Sequence, residues 1–147
     1  MKKIISLVLA ALMVATTFFT LPFNAFAISK NDVNGAKEVT ASSKSYTDEN
    51  VVTSPKQPII YYKITVAETG LYSFYTEPVD SSNTPDTYGT LYDANLTQIA
   101  QNDDADGRNF KITWFLQSGS TYYLAAKVYS DSYFGKAFNI IIEKDNN

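Results

Sequence analysis

An acidic loop supplies the residues of this sequence best suited to holding a cation. Asn102, Asp104 and Asp106 stand at alternate positions and Gly107 follows them, which matches the first half of an N-x-D-x-D-G calcium loop. Oxygen ligands at alternate positions before a glycine turn suit a hard cation such as calcium. The carboxylate that completes an EF-hand would fall on Thr113, which cannot serve. The loop therefore predicts either a calcium site or an Asx-rich turn whose side chains bond to nearby backbone amides.

A second candidate site is a cluster of aromatic side chains near the end of the chain. Tyr129, Tyr133 and Phe134 surround Asp131, and rings beside a carboxylate can stack on sugar rings or on an extended peptide. Loops carry binding residues more often than strands do, so we predict these four residues as ligand-binding, with packing against the core as the alternative. Ordinary cross-strand packing is favoured for three aromatic residues on the polar sides of strands, namely Tyr61, Tyr75 and Phe115.

Few residue types in this chain support catalysis. The sequence contains no histidine and no cysteine, which removes the Ser-His-Asp triad, the Cys-His pair and histidine-ligated zinc. Paired carboxylates could still hydrolyse glycosidic bonds, but the acidic residues lie mainly in predicted turns and termini, where water solvates them. We therefore predict that the protein is not an enzyme.

The first 27 residues have the pattern of a bacterial signal peptide. Two lysines precede an apolar run from Ile4 to Leu21, Pro22 interrupts it, and Ala25-Phe26-Ala27 is an A-x-A cleavage site. The alternative is an uncleaved membrane anchor, since the run is close to spanning length. We expect cleavage after Ala27 and a secreted, extracellular product with no membrane attachment, because no second apolar segment of spanning length follows.

Composition limits the partners of the chain that remains after cleavage, residues 28 to 147. The leader holds two of the 12 basic residues and none of the 15 acidic ones, which leaves a net charge of −5. An acidic chain without a basic cluster is a poor ligand for nucleic acid or anionic membranes. Without cysteine, an exported domain of this size has no disulfides and depends on packing, with a bound cation as an added source of stability.

From residue 59 onward, apolar and polar residues alternate with a period of two, which predicts strands. Turn signals separate the runs and no stretch has a helical period, so we predict an all-β antiparallel sandwich, jelly-roll-like, of seven or eight short strands. Trp114 shares a face with apolar neighbours and is predicted as a core residue. The predicted strands are Ile59–Val66, Leu71–Glu77, Thr87–Tyr92, Thr97–Gln101, Phe110–Gln117, Thr121–Val128 and Lys136–Glu143.

The domain boundaries follow from the change in pattern. Residues 28–57 are polar and have no sustained period, so we expect a linker with at most one edge strand, at Lys37–Ala41. Residues 58–144 form the predicted sandwich, and residues 145–147 a short tail.

The order of four short motifs resembles the bacterial pre-peptidase C-terminal domain family. A G-x-Y turn at Gly70–Tyr72 precedes a D-T-x-x-x-L-Y-D strand at Asp86–Asp93. An N-D-D turn at Asn102–Asp104 and an L-x-x-G-x-x-Y-Y strand pair at Leu116–Tyr123 follow. The resemblance covers about Ile59 to Lys144. It implies a jelly-roll-like sandwich of the kind found as an accessory domain on secreted proteases and other exported enzymes.

The chain departs from that family near its start. Collagen-binding relatives carry an E-P-N-D or E-x-N segment that supplies calcium ligands, whereas this region has only Lys37-Glu38-Val39 and Asp48-Glu49-Asn50. We predict a secreted, non-catalytic binding module for an extracellular polymer, polysaccharide or protein, with calcium as an added ligand of the acidic loop. The alternative is an interaction protein that pairs through a sheet edge with itself or with an exported partner. A long unpaired apolar edge strand would favour that alternative.

Overall fold

A computed structural model describes residues 28–52, 55–56, 58–105 and 107–145 of the chain. The predicted signal peptide, its cleavage after Ala27, Asp106 and residues 146–147 of the predicted tail lie outside the described residues. No helix within the described ranges is long and apolar enough to cross a membrane.

The described residues form nine β-strands and two single-turn 3₁₀ helices. The helical turns are Ser81–Asn83 and Asp131–Tyr133. The strands are β1 Lys37–Ala41, β2 Tyr46–Val51, β3 Ile59–Val66, β4 Gly70–Pro78, β5 Thr87–Tyr92, β6 Gln98–Asn102, β7 Lys111–Leu116, β8 Thr121–Val128 and β9 Ala137–Lys144.

Two sheets make up the fold. One has the strand order β1-β3-β8-β5-β6 and the other β2-β9-β4-β7. All pairs are antiparallel except β1 with β3, which are parallel. The predicted all-β sandwich is confirmed, with nine strands in the described chain rather than seven or eight.

The core lies between the sheets, because alternate residues of each strand point inward. Phe110, just before β7, is fully buried beneath β5. A Cβ on Gly89 would lie 2.5 Å from the Phe110 ring, so only glycine lets the ring pack there. The other large side chains with full burial are Tyr62, Ile64, Tyr72, Phe74, Leu91, Leu116, Leu124, Phe138 and Ile140.

The expectation of at most one strand before residue 58 is wrong. β1 is the predicted edge strand, but β2 also forms and pairs with β9 at the edge of the second sheet. The period-two signal is missing from β2 because two of its three inward positions hold Asp48 and Asn50 rather than apolar residues. The segment therefore closes one side of the sandwich instead of acting as a linker.

Hydrogen bonds within a polar cluster satisfy the inward side chains of β2. The cluster consists of Lys37, Asp48, Asn50 and Tyr62, and we call it the β1–β2 clip. Lys37 Nζ donates to Asp48 Oδ2 at 2.6 Å and to Asn50 Oδ1 at 2.7 Å. The buried Tyr62 hydroxyl donates to Asp48 Oδ2 at 2.7 Å and accepts from Asn50 Nδ2 at 2.6 Å. Burial alone would raise the pKa of Asp48, but hydrogen bonds from Lys37 and Tyr62 outweigh it and lower that pKa.

The prediction that Trp114 is a core residue is also wrong. Its side chain shares the inward face with the buried Ile112 and Leu116, yet 37% of the residue is exposed. The reason is its position, because β7 is an edge strand and, among the described residues, is paired only with β4. The large indole therefore extends past the last strand and is covered on one side only.

Candidate functional site

The outer face of the five-stranded sheet carries an aromatic cleft. Cross-strand register places Tyr61, Ala125, Thr90 and Gln101 in one row over β3, β8, β5 and β6. The small side chains at the centre of the row leave a depression of about 210 Å³ between larger neighbours. We call it the tyrosine cleft, and its lining residues are Ile28, Ile59, Tyr61, Tyr88, Thr90, Tyr92, Gln98, Gln101, Ala125 and Lys127.

Side-chain contacts hold the polar groups of the tyrosine cleft in place. The Tyr88 hydroxyl donates to Gln101 Oε1 at 2.7 Å, and Gln98 Nε2 donates to the same oxygen at 2.8 Å. Lys127 Nζ lies 4.8 Å from the centre of the Tyr88 ring, a cation–π contact. A ligand would therefore meet groups that are already positioned, which lowers the entropy cost of binding.

The tyrosines of the cleft present neutral hydroxyl groups. Burial raises the pKa of Tyr88, and the nearby Asp103 carboxylate raises it further. Burial likewise raises the pKa of Tyr92, which is only 3% exposed, and the pKa of Tyr61. These side chains stay protonated at physiological pH and can donate hydrogen bonds, so Lys127 is the charged side chain of the cleft lining.

The same face continues beyond the cleft. Past β3, a shallower depression of about 700 Å³ shares Ile59 and Tyr61 and runs toward residues 31–36. Past the end of β8, Tyr129 is 65% exposed, and its N–H donates to the Asp86 carbonyl at 2.8 Å. Strand alternation places Tyr129 on the same face as Lys127. The face is thus long enough for an extended ligand.

The acidic loop lies at the Tyr129 end of this face. The Thr87 N–H donates to the Arg108 carbonyl at 2.9 Å, which ties the loop to the start of β5. Burial raises the pKa of Asp86, and the Asp104 carboxylate raises it further. Asn102 Oδ1 accepts from the Lys111 N–H at 3.0 Å, which links the end of β6 to the start of β7. The described residues, which do not include Asp106, contain no group of three acidic side chains placed for a metal ion. The calcium site of Asn102, Asp104 and Asp106 stays a prediction.

The predicted aromatic loop divides into two parts. Tyr129 is exposed, whereas Tyr133 and Phe134 pack against the core. Arg108 and Lys136 approach the Tyr133 ring at 5.9 Å and 5.1 Å from its centre. This arrangement favours packing for Tyr133 and Phe134 and leaves Tyr129 as the ring available for stacking.

Asp131 is exposed at the start of a 3₁₀ turn. A ligand-binding role for Asp131 stays a prediction, as it does for the rest of the loop.

Sequence reasoning missed most of the tyrosine cleft. It favoured ordinary packing for Tyr61 and did not single out Tyr88, Tyr92 or Gln101. A signal was present, because the alternation that turns Leu91 inward turns the residues on either side of it outward. Which strands lie beside β5 could not be read from that signal.

Comparison with known proteins identifies the class of fold. No family model and no curated protein matches the sequence. The structure is similar to the pre-peptidase C-terminal domain of a collagenase from Bacillus anthracis, with a TM-score of 0.56, 14% identity, and coverage of 74% of this chain and 94% of that domain. The predicted resemblance is therefore confirmed at the level of the fold.

Weaker structural similarity extends to periplasmic inhibitors of g-type lysozyme. PliG from Aeromonas hydrophila has a TM-score of 0.44 and 13% identity, over 75% of this chain and 99% of that one. PliG from Salmonella Typhimurium has a TM-score of 0.41, with the same identity and coverage.

Proposed function

We propose that this chain is an exported, non-catalytic binding module that holds an extracellular polymer, polysaccharide or protein, in the tyrosine cleft. The observation that carries the proposal is the cleft itself, in which Tyr61, Tyr88 and Tyr92 surround a floor of Thr90 and Ala125. Rings with a polar tip supply contact area at low entropy cost and are enriched at recognition surfaces.

The chemistry of the cleft favours a flat, neutral repeating unit with hydrogen-bonding edges. Aromatic walls stack on a flat apolar face, which a sugar ring and a proline-rich peptide both offer. Amide and hydroxyl groups at Gln98, Gln101 and Tyr88 suit a neutral ligand with hydrogen-bonding edges. A volume of about 210 Å³ is small for a whole ligand, so the cleft would take one unit while neighbouring units follow the face toward Tyr129.

Two further observations support the proposal. The signal-peptide pattern directs the chain out of the cell, where such polymers are found. The similar solved domain belongs to a collagenase, whose name indicates a fibrous protein substrate. Calcium at the acidic loop would order the Tyr129 end of the face and so assist binding there.

Retention on insoluble polymers tests the proposal. Residues 28–147, which contain all nine strands, are passed over insoluble polysaccharides and over collagen-like protein, with and without chelator. We expect retention on one polymer, and loss of that retention in the double variant Tyr61→Ala/Tyr88→Ala. Failure to bind any polymer would contradict the proposal, and so would a double variant that is retained like the wild type.

A matched control is available on the opposite sheet. Tyr75 points outward from β4 and has Lys111 Nζ at 5.2 Å from its ring centre, as Tyr88 has Lys127. Tyr75→Ala therefore removes an equivalent ring from the outer face of the four-stranded sheet and should leave retention on the polymer unchanged.

A further inference from the structure

The edges of the two sheets differ in how they are protected against pairing with another chain. β1 carries Lys37 and Glu38, β2 turns the Asp48 carboxylate inward, and β6 pairs through a register shift between Leu91 and Tyr92. Charges, inward carboxylates and bulges are the devices that keep sheet edges from pairing. β7 has none of them beyond Lys111 at its first position, and it pairs with β4 without a shift.

The direction of the backbone groups on β7 follows from its ladder. Thr76 N–H donates to the Phe110 carbonyl at 3.2 Å, and this pair continues the register of β4 with β7. Hydrogen-bonded pairs alternate along an antiparallel ladder, so even-numbered residues of β7 bond to β4 and odd-numbered residues point to the free edge. The Lys111 N–H confirms this parity, because it points away from β4 to Asn102 Oδ1.

The free edge therefore presents the N–H and C=O of Thr113 and of Phe115. In the described part of the chain, β4 is the only strand paired with β7. The same segment carries two exposed rings, Trp114 on the inward face and Phe115 on the outward face, which are 37% and 54% exposed. Unpaired backbone groups and uncovered apolar rings thus coincide on one short segment.

We propose that β7 pairs antiparallel with β7 of a second copy of this chain, in the register that sets Trp114 opposite Trp114. In this register Thr113 of each copy faces Phe115 of the other, and each pair exchanges both N–H···O=C bonds. All the free groups at Thr113 and Phe115 are then used. A register shifted to set Thr113 opposite Thr113 would instead require the Lys111 N–H, which Asn102 already occupies.

The side chains of β7 fit a second copy because their pattern reads the same in both directions. Around Trp114, the inward positions are apolar on both sides, at Ile112 and Leu116. The antiparallel pair therefore sets Ile112 against Leu116 of the other copy and indole against indole, while Lys111 meets the neutral Gln117. No like charges face each other, the two indoles cover each other, and Phe115 of each copy lies against Thr113 of the other. The interface is one strand wide, so we expect a weak, concentration-dependent dimer.

Sedimentation of residues 28–147 over a wide range of protein concentration tests the proposal. The sedimentation coefficient should rise with concentration from a monomer to a dimer value. Emission of Trp114, the only tryptophan, should shift to shorter wavelength over the same range as the indole loses water. A protein that stays monomeric at every concentration would overturn the proposal.

Edge variants locate the interface. Thr113→Pro removes the Thr113 N–H, which has no partner in the β4–β7 ladder of the monomer. In the dimer each copy donates this N–H to the other, so the variant loses two hydrogen bonds, which should weaken the dimer about tenfold or more. Thr113→Pro also removes the Ser73–Thr113 side-chain hydrogen bond of the monomer. Phe115→Lys is therefore made as a second variant, with the same expected weakening of the dimer. Phe115→Lys decides the outcome if Thr113→Pro does not fold.

Thr47→Pro is the matched control, because by the same ladder argument the Thr47 N–H on β2 points to the free edge at the other side of this sheet. It should leave the dimer unchanged. Dimerisation that survives Phe115→Lys, or that Thr47→Pro weakens equally, would overturn the proposal.

Discussion

The two outer faces of the sandwich carry the same pair of side chains in different surroundings. On the five-stranded sheet, Lys127 lies over the Tyr88 ring, and on the four-stranded sheet Lys111 lies over Tyr75. Tyr88 has Tyr61 and Tyr92 as neighbours across a floor of small residues. The depression beside Tyr75 is larger, about 540 Å³, and is bordered by Glu77, Glu143 and Lys111.

The difference shows that neighbours, rather than the tyrosine–lysine pair, make an aromatic binding site. Burial and the Glu143 carboxylate raise the pKa of Tyr75 to about 12, and Glu143 borders the same depression as Tyr75. Tyr88 is instead tied to the neutral Gln101. A flat, apolar, uncharged ligand surface fits the Tyr88 surroundings and would leave charges unpaired at Tyr75.

The largest expected effect is on the core that supports the tyrosine cleft. Phe110→Ala empties the space beneath Gly89, and because Phe110 is fully buried it should cost about 3 to 5 kcal/mol of unfolding free energy. Trp114→Ala is the control on the same inward face. Because 37% of Trp114 is exposed, Trp114→Ala should lower the free energy of unfolding clearly less than Phe110→Ala does. Urea unfolding of both variants at low protein concentration makes the comparison, and equal losses would contradict the placement of Trp114.

A smaller effect is expected from the β1–β2 clip, whose residues do not line the tyrosine cleft. Asp48→Ala removes the acceptor of the buried Tyr62 hydroxyl and should cost about 1 to 3 kcal/mol. The folded variant should still bind the retained polymer as the wild type does, since the cleft is intact. Loss of binding without loss of stability would show that the two regions are coupled.

The clip also predicts a pH dependence. The pKa of Asp48 is lowered in the folded state, so its contribution is present above the unfolded value of about 3.9 and is lost as pH falls through the folded value. Chemical unfolding at several pH values should show a steeper loss of stability below about pH 4 in the wild type than in Asp48→Asn. Parallel curves would contradict the contribution of this group.

The smallest expected effect concerns calcium at the Tyr129 end of the face. If Asp104 and Asp106 hold the ion, about 1 mM calcium should stabilise the folded state by about 0.4 to 1.4 kcal/mol, as for other extracellular calcium sites. Stability should rise with the logarithm of calcium concentration, and Asp104→Asn should remove the response. A melting temperature that is the same in chelator and in millimolar calcium would leave only the capping interpretation of the loop.

Much of the fold could be predicted because it depends on local alternation. The strands from β3 to β9 alternate apolar inward and polar outward residues, and their existence follows from that period. β2 could not be found in this way, because its inward Asp48 and Asn50 are compensated by Lys37 and Tyr62, which come from other strands.

The tyrosine cleft was hidden for a related reason. Its row joins Tyr61, Thr90, Gln101 and Ala125 through the register of four strands that are far apart in the sequence. Alternation places each of these residues on an outer face, but only the strand order β3-β8-β5-β6 brings them together. Exposure at Trp114 likewise depends on which strand lies at the edge.

The most direct test of the account is to map the ligand on the two outer faces by NMR. Isotope-labelled protein is titrated with a soluble fragment of the polymer that retains it, and amide shifts are followed. We predict the largest shifts at Tyr61, Thr90 and Gln101, with Tyr75 and Thr113 unchanged. Shifts centred on Tyr75 and Thr113 would contradict the assignment of the tyrosine cleft as the binding site.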